Sequence, residues 1–134
     1  MEEKDIKKLI KKALEMRSFS YTPYSHYNVG AALLTADGRI YTGCNIENAS
    51  FTPTNCAERT AFFKAVSEGV KDFKAIAIVG GAKGAEVLDD CSPCGVCRQV
   101  MSEFMDKNGI VLVEVNKEIK RYSLDELLPL AFTL

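Results

Sequence analysis

Ala75-Ile76-Ala77-Ile78-Val79-Gly80-Gly81 decides the fold: it is a short apolar run that closes on two glycines, with a helical pattern on either side. Upstream, Cys56 to Glu68 places Ala57, Ala61, Phe62, Ala65 and Val66 on one face, and Gly69 is a stop. Downstream, residues 82–93 read as a loop, and Cys94 to Lys107 reads as a second helix stopped by Asn108-Gly109. Ile110–Val115 is then another strand, apolar except for one glutamate. Strand and helix in alternation imply parallel crossovers. Working outward, Val29–Thr35 and Arg39–Asn45 flank Ala36-Asp37-Gly38, where Asp-Gly tolerates positive φ and signals a hairpin. Residues 3–17 carry Ile6, Leu9, Ile10, Ala13 and Leu14 at helical spacing opposite lysines, and Pro23 lies in the break that follows. Pro53 ends the loop before Cys56. Near the C-terminus, Ile119–Tyr122 reads as an edge strand. Ser123-Leu124-Asp125-Glu126 matches a capping box, and Pro129 ends the short helix it opens. The expected fold is α/β: a three-layer α/β/α sandwich around a mixed five-stranded sheet, in a single domain over 1–134.

Composition narrows the partners. Hydrophobic content of 47% and charged content of 26% over 134 residues are ordinary for one globular domain. A chain of this length buries enough surface to fold without a metal staple, which weakens a purely structural reading of its cysteines. Net charge is −1 and the basic residues are scattered, apart from Lys7, Lys8, Lys11 and Lys12 on the wet face of the first helix. A polynucleotide partner needs clustered Lys and Arg, so a small-molecule substrate is expected and no nucleic acid polymer. No run approaches the roughly 20 apolar residues of a membrane span, and Met-Glu-Glu-Lys-Asp lacks a secretory apolar region. The expectation is a cytoplasmic protein without a membrane partner. Five cysteines, an odd number, also argue against a disulfide framework.

The chemistry gathers in two motifs, Cys56-Ala57-Glu58 and Pro93-Cys94-Gly95-Val96-Cys97. Three thiolates can hold zinc and leave its fourth position open to water. Cys94 and Cys97 have the usual two-ligand spacing, and Pro93 suits a helix entrance. Cys56 likewise opens its helix, so all three sulfurs would lie at positive helix ends that favour the thiolate. Glu58 is the candidate general acid and base; the competing reading is a helix-start glutamate placed for the dipole. Arg59, one turn after Cys56, is placed to damp the charge of the thiolates; otherwise it is a surface arginine. Either motif alone is a modest signal, because redox thiols share the Cys-x-x-Cys spacing. Together they match the pattern of zinc deaminases.

From Ser25 to Gln99 the chain resembles the small, all-cysteine, homotetrameric cytidine deaminases. The resemblance lies in Tyr24-Ser25-His26-Tyr27-Asn28-Val29-Gly30-Ala31-Ala32, Gly43-Cys44-Asn45-Ile46-Glu47-Asn48-Ala49, Asn55-Cys56-Ala57-Glu58-Arg59-Thr60-Ala61 and Ser92-Pro93-Cys94-Gly95-Val96-Cys97-Arg98-Gln99, and the tail from Leu127 to Phe132 is also similar. It implies hydrolytic deamination of cytidine and deoxycytidine to uridine and deoxyuridine with release of ammonia, a pyrimidine-salvage reaction. It also implies one Zn²⁺ per subunit on Cys56, Cys94 and Cys97, with Glu58 as proton shuttle. Asn45 and Glu47 would hold the ribose 3′-hydroxyl, and the backbone around Ala57 would meet the base. Tyr27 stands where the family usually has a phenylalanine packing on the nucleoside. Phe132 matches an aromatic that reaches the base in a neighbouring subunit, so the active sites of a homotetramer would be completed at subunit contacts. Two positions depart from the pattern. Leu130 replaces a frequent glycine, and Cys91 adds a thiol before Cys94 that either competes for metal or packs as a small apolar residue.

Other conspicuous residues are expected outside the chemistry. His26, the only histidine, has no ligand partner and reads as a surface or loop residue. Phe62 and Phe63 read as core or subunit contacts, and Cys44 as buried and inert. Tyr21 and Tyr24 either line the entrance or pack the loop. Two alternatives to an enzyme remain at this level. A zinc-stabilised binding module would close its site with Cys91 as fourth ligand, and a redox protein would cycle its Cys-x-x-Cys thiols without metal.

Overall fold

The stripe of Ile6, Leu9, Ile10 and Ala13 produces a first helix, α1 (Glu3–Met16), in the computed structural model, which describes residues 1–134. A single 3-10 turn, Arg17–Phe19, follows it. The hairpin is β1 (Tyr27–Thr35) and β2 (Ile40–Cys44), turning on Gly38 at φ 95°. Next come α2 (Ala57–Ser67), β3 (Phe73–Ala82), α3 (Gly95–Phe104), β4 (Met105–Val115), β5 (Glu118–Ser123) and α4 (Leu124–Leu127). Ser123 caps α4 in the expected box with Glu126.

The five strands form one sheet in the order β2-β1-β3-β4-β5. β1 pairs antiparallel with both β2 and β3, β3 pairs parallel with β4, and β5 closes the edge antiparallel to β4. The crossovers expected from the alternation are therefore present: α2 carries the chain from β2 past β1 to β3, and α3 carries it from β3 to β4. Alternation along the strands divides the core. Ala32, Ala75, Ala77, Val79 and Leu112 face α1 through Leu9, Ile10 and Ala13. Ala31, Leu33, Ile76, Ile78, Val111 and Val113 face α2, α3 and Leu124 of α4. This is the mixed five-stranded α/β/α sandwich read from the sequence.

Several boundaries differ from expectation: β1 starts at Tyr27 rather than Val29, β3 at Phe73 rather than Ala75, and β4 at Met105 rather than Ile110. The helix expected to run to Lys107 ends at Phe104, and Met105 already pairs with Phe73. The cause is tertiary: the Phe104 ring packs on Phe62 and Phe73, and Met105 is buried, so the chain turns into the sheet before the Asn-Gly signal. The strand expected to close at Gly80-Gly81 instead runs through both glycines to Ala82. At Gly80 the requirement is close approach, because a Cβ there would lie 2.6 Å from Cys91 Sγ and 3.2 Å from Tyr27 Cε2.

Candidate functional site

Both metal motifs sit where a helix begins. Cys56 is the N-cap residue of α2 and Cys94 that of α3, each with extended backbone, and Cys97 lies in the first turn of α3. The start of α2 is fixed from two sides. Asn55 Nδ2 donates to Thr60 Oγ1 (3.1 Å), and Thr60 Oγ1 donates to the Cys56 carbonyl (3.1 Å). On the sheet side, a Cβ at Gly43 would overlap the Ala57 carbonyl and lie 2.6 Å from Ala61 N, so only glycine lets α2 rest this close on β2.

The three sulfurs of Cys56, Cys94 and Cys97 lie within 4.8 Å of one another, with Cys56 Sγ 3.8 Å from Cys94 Sγ. Tetrahedral zinc with bonds of about 2.3 Å requires sulfurs about 3.8 Å apart, so the donor chemistry and the spacing both fit zinc. Cys91 is not part of this trio. Its sulfur lies against Gly80 and Tyr27, and burial followed by the charge of Glu58 pushes its thiol up to about 12. The packing reading of Cys91 therefore holds, and with it a three-sulfur site rather than a closed four-sulfur one. All five cysteines are free thiols.

Arg59 reaches back one helical turn, and its Nη2 donates to Cys56 Sγ at 3.3 Å. Its Nε is buried without a hydrogen-bond partner, while the residue as a whole is half-buried. Arg59 is therefore in contact with the sulfur cluster, as its position one turn after Cys56 predicts. The Cys56 thiol is held well below the ordinary range, first by the neighbouring Cys97 thiol and then, against burial, by Arg59. Glu58 is only 4% exposed; burial, with the charge of Cys56 added, pushes its carboxyl up to about 7. A buried carboxyl poised near neutrality can both take and give a proton.

Around this cluster the other expected residues fall into two groups. Ala57 is fully buried at the first position of α2. Tyr27 opens β1, half-buried against the core, with its phenol held above its usual range by burial and then by Cys91 and Asp89. Asn45 is tied to β1 through both ends of its amide: Nδ2 donates to the Tyr27 carbonyl (2.8 Å), and Oδ1 accepts from Val29 N (2.9 Å). Glu47 Oε1 accepts from Tyr24 N (3.0 Å) and Ser25 N (3.1 Å), while Ser25 Oγ donates to Oε2. Those bonds, led by the Ser25 hydroxyl, hold its carboxyl below the usual range. Tyr24, Ser25, Glu47, Asn48, Phe51 and Thr54 line a cavity of about 390 Å³. None of the three cysteines lines it. Phe132 stands apart, 66% exposed, with its carbonyl accepting from Gln99 Nε2 on α3 (3.1 Å).

His26 is exposed with φ 57°, a loop residue as expected. Phe62 is core, Phe63 is exposed and Cys44 is buried. Tyr21 and Tyr24 are both exposed, and Tyr24 lines the cavity beside Glu47. Sequence reasoning missed Ser25 as the partner of Glu47, and Arg98, whose Nε bonds the Pro93 carbonyl and Nη1 the Leu127 carbonyl, both at 2.7 Å. Both lie inside the quoted motifs, which are the only sequence signal for them. No helix is long and apolar enough to cross a membrane.

Comparison with known proteins agrees with this geometry. Residues 3–114 match the family model described as the cytidine and deoxycytidylate deaminase zinc-binding region. The chain is 49% identical over 130 residues to a cytidine deaminase of Sporosarcina psychrophila, covering 96% of this chain and 92% of that protein. It is 48% identical to a cytidine deaminase of Halalkalibacterium halodurans, covering 96% and 95% respectively. The crystal structure of cytidine deaminase from Burkholderia pseudomallei superposes with a TM-score of 0.85 at 41% identity, over 98% of this chain and 100% of that one.

Proposed function

The chain belongs to the cytidine and deoxycytidylate deaminase family, and we propose that it hydrolyses cytidine and deoxycytidine to uridine and deoxyuridine with Glu58 as the proton carrier. The observation that carries this reading is a buried carboxyl two residues from Cys56 in a sulfur trio spaced for zinc. Cys56, Cys94 and Cys97 would hold the ion, which supplies electrophilic activation of water.

The remaining work falls to the chain. Glu58 takes a proton from the attacking water and delivers it to N3 of the base, which makes C4 more electrophilic. Once the water oxygen is bonded to C4, Glu58 takes the remaining proton of that hydroxyl and passes it to the exocyclic amino group; the C4–N bond breaks and ammonia leaves. The poise of the buried Glu58 carboxyl near neutrality supports both transfers. Arg59 neutralises part of the excess thiolate charge; its bond to Cys56 and its buried Nε support that role.

Asn45 and Glu47 orient the sugar through its 3′-hydroxyl, with the spare Nδ2 hydrogen and the Oε2 lone pairs left by their own backbone partners. Tyr27 packs on the nucleoside, and the backbone at Ala57 meets the base. Holding the sugar fixes C4 and so contributes rate as well as affinity. Phe132 serves a neighbouring subunit in a homotetramer. Exposed Phe51, Val96 and Phe132 support association through helical and loop surfaces. The free thiols suit a reducing, cytoplasmic setting and a role in pyrimidine salvage.

The test is Glu58→Gln. Zinc content and fold should be retained, while turnover of cytidine, followed by its loss of absorbance, should fall by about 10³-fold or more. Near-full activity in that variant would remove Glu58 from the mechanism.

A further inference from the structure

Arg17 lies in the 3-10 turn after α1, outside every motif of the site. Its guanidinium has no carboxylate partner; it is held by backbone carbonyls alone. Nε donates to Asn28 O (3.0 Å), Nη1 to Ala85 O (3.1 Å), and Nη2 to both Gly81 O (3.2 Å) and Ala82 O (3.0 Å). Asn28 Nδ2 returns a bond to the Arg17 carbonyl (3.1 Å). These acceptors cluster where β1 and β3 part, since Asn28 pairs with Gly81 and Tyr27 with Ala82. Carbonyls at the end of a ladder lose their strand partners, and a planar fork with several donors can satisfy them together.

The loop that Arg17 grips leads to the site. From Ala82 it runs through Lys83, whose N–H bonds the His26 carbonyl (2.8 Å), to buried Leu88 and to Asp89, whose N–H bonds Gly80 O (3.0 Å). Cys91 follows, its sulfur wedged against Gly80 beside the Tyr27 ring. Three residues later the same loop delivers Cys94 to the sulfur trio. One guanidinium thus joins the strand that begins with Tyr27 to the loop that packs against that tyrosine.

We infer that Arg17 is a positioning residue of the deaminase site: it locks the 82–91 loop to β1 and thereby holds the Tyr27–Cys91 wall against which the nucleoside binds. The inference rests on the deaminase reading above. Because the wall meets the bound nucleoside rather than the reacting bond, loss of the tether should weaken binding more than chemistry.

The experiment uses zinc-loaded full-length protein with Arg17→Met and Arg17→Lys. Three quantities are measured: zinc content, the separate kcat and KM for cytidine, and hydrogen exchange of the amides from Lys83 to Asp89. In Arg17→Met, KM should rise about 10-fold while kcat per zinc changes by less than about 3-fold, and exchange should quicken at 83–89 but not in α2. Arg17→Lys keeps the charge without the fork and should recover part of the KM. If Arg17→Met does not fold, Arg17→Lys carries the test: a KM above wild type with faster local exchange supports the tether. An unchanged KM with only a lower melting temperature would make Arg17 a purely structural residue and overturn the inference. Wild-type protein that binds zinc yet leaves cytidine untouched overturns the deaminase reading instead. The exchange data then judge the tether alone, and unchanged protection at 83–89 would sink it.

Discussion

Arg59 and Arg39 are both arginines close to an anion, yet they stand in opposite environments. Arg39 pairs with Asp37 at 3.1 Å on the surface, where water screens the pair. Arg59 turns its guanidinium onto Cys56 Sγ with Nε cut off from solvent. Arg59→Ala should therefore lower zinc retention or kcat by about 10-fold or more, within the range found for groups that orient metal ligands. Arg39→Ala should leave both unchanged, and equal effects in parallel zinc and kinetic assays would strip Arg59 of any role at the cluster. At this scale the sequence was most legible where chemistry dictates the residue type: the spacing of Cys56, Cys94 and Cys97 called for one metal cluster, and the fold brings the three sulfurs together. The bonds of Asn45 and Glu47 to β1 and to the Tyr24-Ser25 turn were not legible. Their partners are backbone groups some twenty residues away in the chain, and every residue carries such groups.

At the level of elements, the site depends on how closely α2 rests on β2. Gly43→Ala would drive a methyl group into the Ala57 carbonyl and the amide of Ala61. Both are backbone atoms, so the helix has to move. The expected cost is about 1–3 kcal/mol of stability, read by denaturant unfolding, with a fall in kcat because Cys56 and Glu58 ride on the displaced turn. Full stability with full activity would show that the helix has slack. Element types were readable because periodicity reports burial directly: α1 shows its stripe and β3 its apolar run. Their ends were less readable. The Phe104 contacts with Phe62 and Phe73 decide where α3 stops, and those residues are up to 42 positions away. Gly80 and Gly81 look like a stop in one dimension but lie within a strand in three, where they make room for Cys91, Tyr27 and Leu88.

For the whole molecule, the sandwich was legible from the order of its elements, whereas the proposed homotetramer would rest on surface that the single chain leaves open. Phe51 is 89% exposed and Phe132 66%, and Leu130 is fully exposed with φ 56°. A leucine in the left-handed region carries strain that glycine would not. Arg98 and Gln99 on α3 nonetheless hold the tail on either side of it. Light scattering on the zinc-loaded protein should give a mass close to four times the 14.8 kDa of one chain. A stable monomer that deaminates cytidine at full rate would show that no neighbouring subunit completes the site. One further feature bears on how copies meet. β5 presents Glu118, Lys120 and Arg121 along the outer border of the sheet, all exposed. A border this charged discourages another strand from docking there. Ribbon-like growth by strand addition is thereby disfavoured on that side, and the proposed homotetramer would have to form through other faces.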